Sequence, residues 1–512
     1  MTTERPILRL KTPNEGDHQE EELRVDLFTF DVLLPCRRYE VAYKVAVLGN
    51  ISPTLEFLLR LVKAVDGIDE EEARAFFGYS RVEMEYVLSE GTSPGYVDRV
   101  ESRLWLTTSG DALFSEGGDE PAIFAVENRR SAFGFDQLSL APQQWVSMDR
   151  MEMHLPDLSI DTPFGGSSPS KAVEGRFNYF FRELGDKADR ERSKRRNLYS
   201  IDGVTPGDRF QTPVRINVFC RVSTPSVGEI DLAAWRPDQE MTDRPEIEKA
   251  VGEFVADLTV PRIAQYDDAA YRVLTELAPD FFKEYMTANG LSVHRFWRYA
   301  ASHSGETRVD RKTIPLAGSL LTRENMEKAL RIVDAGLKRT IPPEVFISVP
   351  CVRKYWGATT LTRELNALLR TKLRKEGEDG ATEPDAICIF VDKVPKYVND
   401  CFDVVVCVDT MDLPQSLELQ VIPGIAVIGL VHAPLGANHG LPVPLGFASF
   451  DPKVLKAAED MVADKVCRFI TRDVVRDRLD ACLSQQHYQT TDAEPAPETA
   501  DVPSTTAEDS RP

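Results

Sequence analysis

Three aspartates in the last third of the chain stand where a metal ion could be held. Asp392 closes the apolar run AICIFVD, Asp409 closes VVVCVD, and Asp412 follows three residues later. In open parallel sheets, ligands bind beyond the carboxyl ends of the strands. One or two carboxylates meeting there, with waters, can hold Mg²⁺ for phosphoryl chemistry. Arg353 or Lys354 would then lie near the substrate phosphate. The competing reading gives each aspartate the commoner role of forming a turn or capping a helix after a strand.

A second group is basic. Arg190, Arg192, Lys194, Arg195 and Arg196 follow the aromatic stretch containing Tyr179, Phe180 and Phe181. Such a cluster is what phosphate-backbone binding requires. Asp186, Asp189 and Glu191 are interleaved with it, as in an ordinary solvated segment. The histidines offer less, because His294 and His303 have no cysteine or carboxylate at a metal-ligand spacing. Apart from Mg²⁺ under the aspartate reading, no metal or cofactor is expected. Walker, GxGxxG, HExxH and GxSxG motifs are all missing. A phosphodiesterase of the phospholipase D type would suit a strand such as FISVP, but those enzymes need His and Lys two apart. Here His432 is followed by Ala433 and Pro434, which excludes their standard mechanism.

The elements that would position these residues are legible in part. RVDLFTFDVLL has the composition of a strand. From Ser52 the pattern turns helical: Ser52 is an N-cap, Pro53 occupies the first helical position, and apolar residues recur at helical spacing in TLEFLLRLVKAV. Asp69 caps a second short helix ending at Gly78, and Ser80 caps a third, RVEMEYVLSEG. GYVDRVESRLWLTTSGDAL then reads as two short strands around a polar turn and a further short helix.

This succession over residues 52–114 resembles the winged helix-turn-helix of transcription regulators. The resemblance implies that the third helix would enter the major groove. Its residues are poorly suited to that role, since Glu83, Glu85 and Glu90 face one cation, Arg81, and the second helix opens with Asp69, Glu70, Glu71 and Glu72. Only Arg99 and Arg103 in the wing could contact phosphate. Protein contact is therefore the expected role of the unit.

Further on, EVFISVP, AICIFVD, VVVCVD and GIAVIGLV are nearly continuous apolar runs, with helical TTLTRELNALLRTKLRK and DPKVLKAAEDMVADKVCRFI among them. They predict a mostly parallel sheet covered by helices. GLVHAPLGANHGLPVPLG reads as a loop bordering that sheet. The expected fold class is multidomain α/β. Its parts are a flexible N-terminus (1–22), a winged-helix-like α+β domain with flanking strands (23–161), a mixed middle region carrying the basic segment (171–335), a C-terminal α/β domain (336–484), and a disordered acidic tail (485–512).

The 512 residues carry a formal charge of -21, with 42% hydrophobic and 28% charged residues, and divide among several cores. That charge repels nucleic acid except at a local basic patch. Eight dispersed cysteines without a CxxC pair fit free thiols in a reducing compartment, and the N-terminus lacks a signal-peptide core. A cytoplasmic protein with no membrane span is expected.

The first functional reading is a non-enzymatic accessory or regulatory component of a nucleic-acid-associated complex. It would work through protein partners and, by the basic segment, nucleic acid. By analogy, such combinations belong to bacterial genome maintenance or anti-phage defence. The second reading is the Mg-dependent nuclease or phosphoryl-transfer enzyme, and the third is a ligand-responsive transcription regulator.

Overall fold

The computed structural model describes residues 23–48, 52–114, 121, 124–159, 169–182, 184, 196–235, 244–306, 309–377, 380–436 and 438–484. The segments 1–22 and 485–512, the break at 162–168, and residues Arg190, Arg192, Lys194 and Arg195 lie outside them.

Strand β1 (Arg24–Leu48) is far longer than its apolar start suggests. It passes through two environments. As far as Leu34 its apolar side chains are almost all buried, while beyond it Tyr39, Val41, Tyr43 and Val45 alternate with more exposed residues. That alternation marks a strand with one covered face.

The unit that follows has its own core. It comprises α1 (Pro53–Ala64), β2 (Ile68–Asp69), α2 (Glu70–Phe77), α3 (Arg81–Thr92), β3 (Val97–Val100) and β4 (Arg103–Leu106). The three strands pair in the order β2-β4-β3. The expected caps are in place. Ser52 accepts from the Leu55 amide at 3.1 Å, and Asp69 accepts from Glu71 at 2.9 Å. Ser80 and Glu83 form a reciprocal capping box. Gly78 ends α2 at φ 70, a left-handed conformation that costs glycine little.

After this insertion, β5 (Phe124–Asp136) returns antiparallel to β1, and β6 (Pro142–Gln143) lies at its edge. Helix α4 (Pro169–Phe180) covers the outer ribbon, with Phe177 and Tyr43 ring centroids 5.1 Å apart. Strand β7 (Arg196–Arg221) pairs with β1 along most of its length, and β8 (Thr224–Asp231) completes a five-stranded antiparallel sheet, β6-β5-β1-β7-β8. The expected domains 23–161 and 171–335 are thus joined strand to strand.

Helices α5 (Pro245–Ala256), α6 (Ala264–Leu277) and α7 (Val293–Ser302) lead into the second sheet. Its elements are β9 (Thr313–Ala317), α8 (Arg323–Leu337), β10 (Val345–Val349), α9 (Thr360–Lys372), β11 (Asp385–Val391), β12 (Val404–Val408), β13 (Leu417–Ile422), β14 (Ala426–Ala433) and β15 (Val443–Ser449). Helices α10 (Pro452–Lys465) and α11 (Asp473–Ser484) close the chain. The sheet therefore starts at Thr313, before the expected boundary at 336.

The strand order is β9-β15-β14-β13-β10-β11-β12. Only β10/β11 and β11/β12 are parallel, and the other neighbours are antiparallel. This corrects the expected mostly parallel sheet. One cause is the tight return at Pro423-Gly424, which joins β13 to β14 as a hairpin; a hairpin makes its strands antiparallel. Both faces of these strands are covered, so they read as continuous apolar runs like parallel ones. The expected loop from Gly429 to Gly446 is also mostly strand. Pro444 fits because it lies just past Ala317, the last β9 residue paired with β15, where one missing amide is tolerated.

One face of the sheet packs on Leu274, Trp297, Val454 and Leu479 from α6, α7, α10 and α11. The other packs on Val32 and Ile216 of the long strands and on Val251, Ile332 and Leu365 of α5, α8 and α9. Helix α8 comes so close that a methyl at Gly336 would meet the Ile425 carbonyl at 2.2 Å.

The two sheets are tied by Asp31, 4% exposed, in β1. It accepts from Arg215 Nε at 2.8 Å and Nη2 at 3.0 Å, from Thr359 Oγ1 at 2.9 Å, and from the Thr360 amide at 2.7 Å at the start of α9. Removing one member of a buried, hydrogen-bonded ion pair strands the other. Asp31→Ala is expected to cost about 3 kcal/mol in urea unfolding, whereas Arg130→Ala, which breaks a fully exposed pair, is expected to leave the midpoint nearly unchanged.

Candidate functional site

The β10 strand ends at Val349, and the chain then runs Pro350-Cys351-Val352-Arg353 beside β13. The Val352 amide donates to the Gln415 carbonyl at 2.7 Å, which keeps this segment alongside the sheet. It lines a cavity of about 430 Å³. Phe28, Thr29 and Phe30 of β1 form another wall, and Ser319, Leu258 and Pro442 approach from neighbouring loops. Strand β1 and the second sheet with its loops together enclose it.

Beneath the cavity lie three polar side chains from separate parts of the sequence. Cys351 is 1% exposed, Glu418 on β13 5% and His432 on β14 3%. Their nearest sulfur, oxygen and nitrogen atoms all lie within 4.8 Å of one another. The register explains the meeting of the last two. Glu418 pairs with Leu430, so His432, two residues on, projects from the same face as the diagonal neighbour. His432 Nε2 and Glu418 Oε2 are 2.6 Å apart. Cys351 and His432 line the cavity, whereas Glu418 stands behind them. Burial, with the Glu418 carboxylate close by, pushes the Cys351 thiol well above its ordinary range, so the unliganded thiol stays protonated.

Cations surround the opening. Arg353 donates to the His432 carbonyl, while its Nε is buried without a hydrogen-bond partner. Lys354 is engaged with Asp257 at 2.7 Å rather than free for a phosphate. Tyr355 adopts φ 58, a left-handed conformation unfavourable for a side-chain-bearing residue. Stacking on Phe254, with centroids 4.7 Å apart, holds it there.

The aspartates proposed from the sequence are placed otherwise. Among the described residues, Cys351, Glu418 and His432 are the group of three potential ligands within 4.8 Å, and Asp392, Asp409 and Asp412 do not form another. Asp412 is ion-paired with Arg468. Asp392 has φ 67 in the turn after β11, where it ends the strand. In the 52–114 unit, Arg99 is bound by Glu70 at 2.7 Å and Glu85 at 3.2 Å, and Arg103 donates to the Gly67 carbonyl. Neither cation stands free. Of the basic cluster, Arg196 alone is described, as the first residue of β7 opposite Val47.

The Cys351/Glu418/His432 group was missed because its members are far apart in sequence. A usable signal existed: Glu418, Gln420 and His432 interrupt otherwise apolar strands, and buried polar groups in such strands need partners.

Thiol accessibility checks this placement. Under native conditions iodoacetamide is expected to label exposed Cys407 and to leave Cys351 unmodified until urea unfolds the chain. Rapid native labelling of Cys351, mapped by peptide mass spectrometry, would show that the cavity floor is open. Comparison of the chain with protein-family models, with curated proteins and with solved structures finds no match.

Proposed function

We propose that the protein is a non-enzymatic adaptor in a nucleic-acid-associated complex, and that its winged-helix-like 52–114 unit grips a protein partner. One observation carries this reading. Where a DNA-reading unit would offer cations, this one exposes Phe76 at 71%, Val82 at 81% and Tyr86 at 66%. Val82 and Tyr86, four residues apart on α3, share one face. Large exposed apolar side chains grouped in this way mark protein contact sites.

Charge points the same way. Glu83 and Glu85 border the apolar residues, and Arg81 and Arg99 are already paired with carboxylates, at 3.7 Å and 2.7 Å. The surface suits a partner presenting apolar residues among lysines or arginines. The connection to nucleic acid rests on the winged-helix resemblance and on the basic cluster at 190–196. The nuclease reading gains no support from the separated aspartates, and the transcription-regulator reading lacks a basic α3.

A photo-crosslinking amino acid at position 86 of the full chain, in its native cells, should give a discrete protein adduct. Val82→Glu should reduce that adduct at least about tenfold, because it buries a charge in the contact. In purified protein, duplex DNA affinity should be unchanged by Arg99→Ala and should fall when Arg192, Lys194, Arg195 and Arg196 become Ala. Crosslinks from position 86 chiefly to nucleic acid would overturn the reading.

A further inference from the structure

We propose that Cys351, Glu418 and His432 form a Zn²⁺ site with one coordination position open to the cavity. This rests on geometry independent of the adaptor reading.

The ligand chemistry is the first argument. A thiol sulfur, an imidazole nitrogen and a carboxylate oxygen form a mixed set that suits Zn²⁺, which accepts all three donor types in tetrahedral arrangement. Their mutual separation, within 4.8 Å, allows one ion to reach all three with small side-chain adjustments. The ion displaces the proton of the Cys351 thiol to solvent, and the proton now held between Glu418 Oε2 and His432 Nε2, 2.6 Å apart, passes to His432 Nδ1 or to solvent, which frees both atoms for the metal.

Position is the second argument. Three protein ligands with a fourth place left for water or another ligand differ from the closed, four-ligand set of structural zinc sites and let the ion bind a small molecule. The fourth place here faces the cavity, because two of the ligands line it and the third lies behind. Arg353 also lines that space, so the ligand class that fits is a small molecule with a carboxylate or phosphate bridging metal and guanidinium.

The polar surroundings are the third argument. Ser416 and Gln420 flank Glu418 on the same face of β13 and its approach, both buried, and among the described residues Ser416 Oγ and Gln420 Nε2 have no hydrogen-bond partner. Ser348 donates to Gln420 Oε1 at 2.5 Å, extending the polar line to β10. A strand packed between two apolar cores holds so many polar groups at a cost, and outer-shell groups that orient metal ligands are a common reason for keeping them.

The test uses the full-length protein, purified from zinc-supplemented cells without chelators. Metal analysis should give about one Zn per chain, as a single three-ligand site requires. Replacement by Co²⁺ should produce a thiolate-to-cobalt absorption band. Cys351→Ala and Glu418→Gln should lose the metal and the band, and Cys407→Ala should keep both. Circular dichroism verifies that the variants fold. If either does not, zinc-edge X-ray absorption on the wild-type protein decides, with one sulfur and the remaining ligands nitrogen or oxygen expected. No zinc and no cobalt band, metal retained by folded Cys351→Ala, or a sulfur count other than one would each overturn the site. So would metal-independent reaction of Cys351 with a thiol-directed inhibitor, which would mark a nucleophile instead.

Discussion

The buried carboxylate of Asp31 is where the two sheets become one structure. It sits on a strand of the first sheet, is held by an arginine of the neighbouring strand, and takes the first amide of α9, which covers the second sheet. A helix N-terminus attracts negative charge, so this contact sets the position of α9 as well as satisfying the carboxylate. The Asp31 amide donates to the Ala358 carbonyl at 2.8 Å, fixing the far end of the 350–358 segment. The cavity wall, the far end of the segment bearing Cys351 and the inner end of β1 therefore meet at one charged group. Loss of that charge would loosen the cavity before it loosened either core.

Local chemistry was well recorded in the sequence. The helices at 53–64, 70–77 and 81–92 begin at the residues whose side chains cap them, Ser52, Asp69 and Ser80, because capping is a matter of neighbours within three positions. The strands of the second sheet were also evident as apolar runs. Their direction was not, since a strand covered on both faces looks the same whichever way its neighbour runs. The length of β1 was hidden for a different reason. Beyond Pro35 it alternates charged with apolar residues around two arginines, Arg37 and Arg38, and its partner β7 lies some 170 residues away.

The site follows the same division. Aspartates at strand ends attract notice because one position in sequence identifies them, yet Asp392 sits in the turn that ends its strand and Asp412 in a surface ion pair. Cys351, Glu418 and His432 meet only through the β13–β14 register and the path of the chain after β10, neither of which can be read from spacing. Charge could be read in advance on α3, where sequence and surface agree: acidic residues remain exposed, and the nearby cations are neutralised by them.

The long ribbon gives the molecule a fixed internal reach. From Asp31 to Leu48, an extended strand covers at most roughly 55 Å, and hydrogen bonding to β5 and β7 on either side resists stretching. Register shifts between Arg37 and Tyr39, Ala42 and Tyr43, and Lys44 and Val45 interrupt the pairing with β7, and such irregularities bend and twist a strand more than they shorten it. The ribbon therefore acts as a gauge: its far end at Leu48 is kept at a set distance from the cavity, while the direction it takes is decided by three local irregularities in one pair of strands.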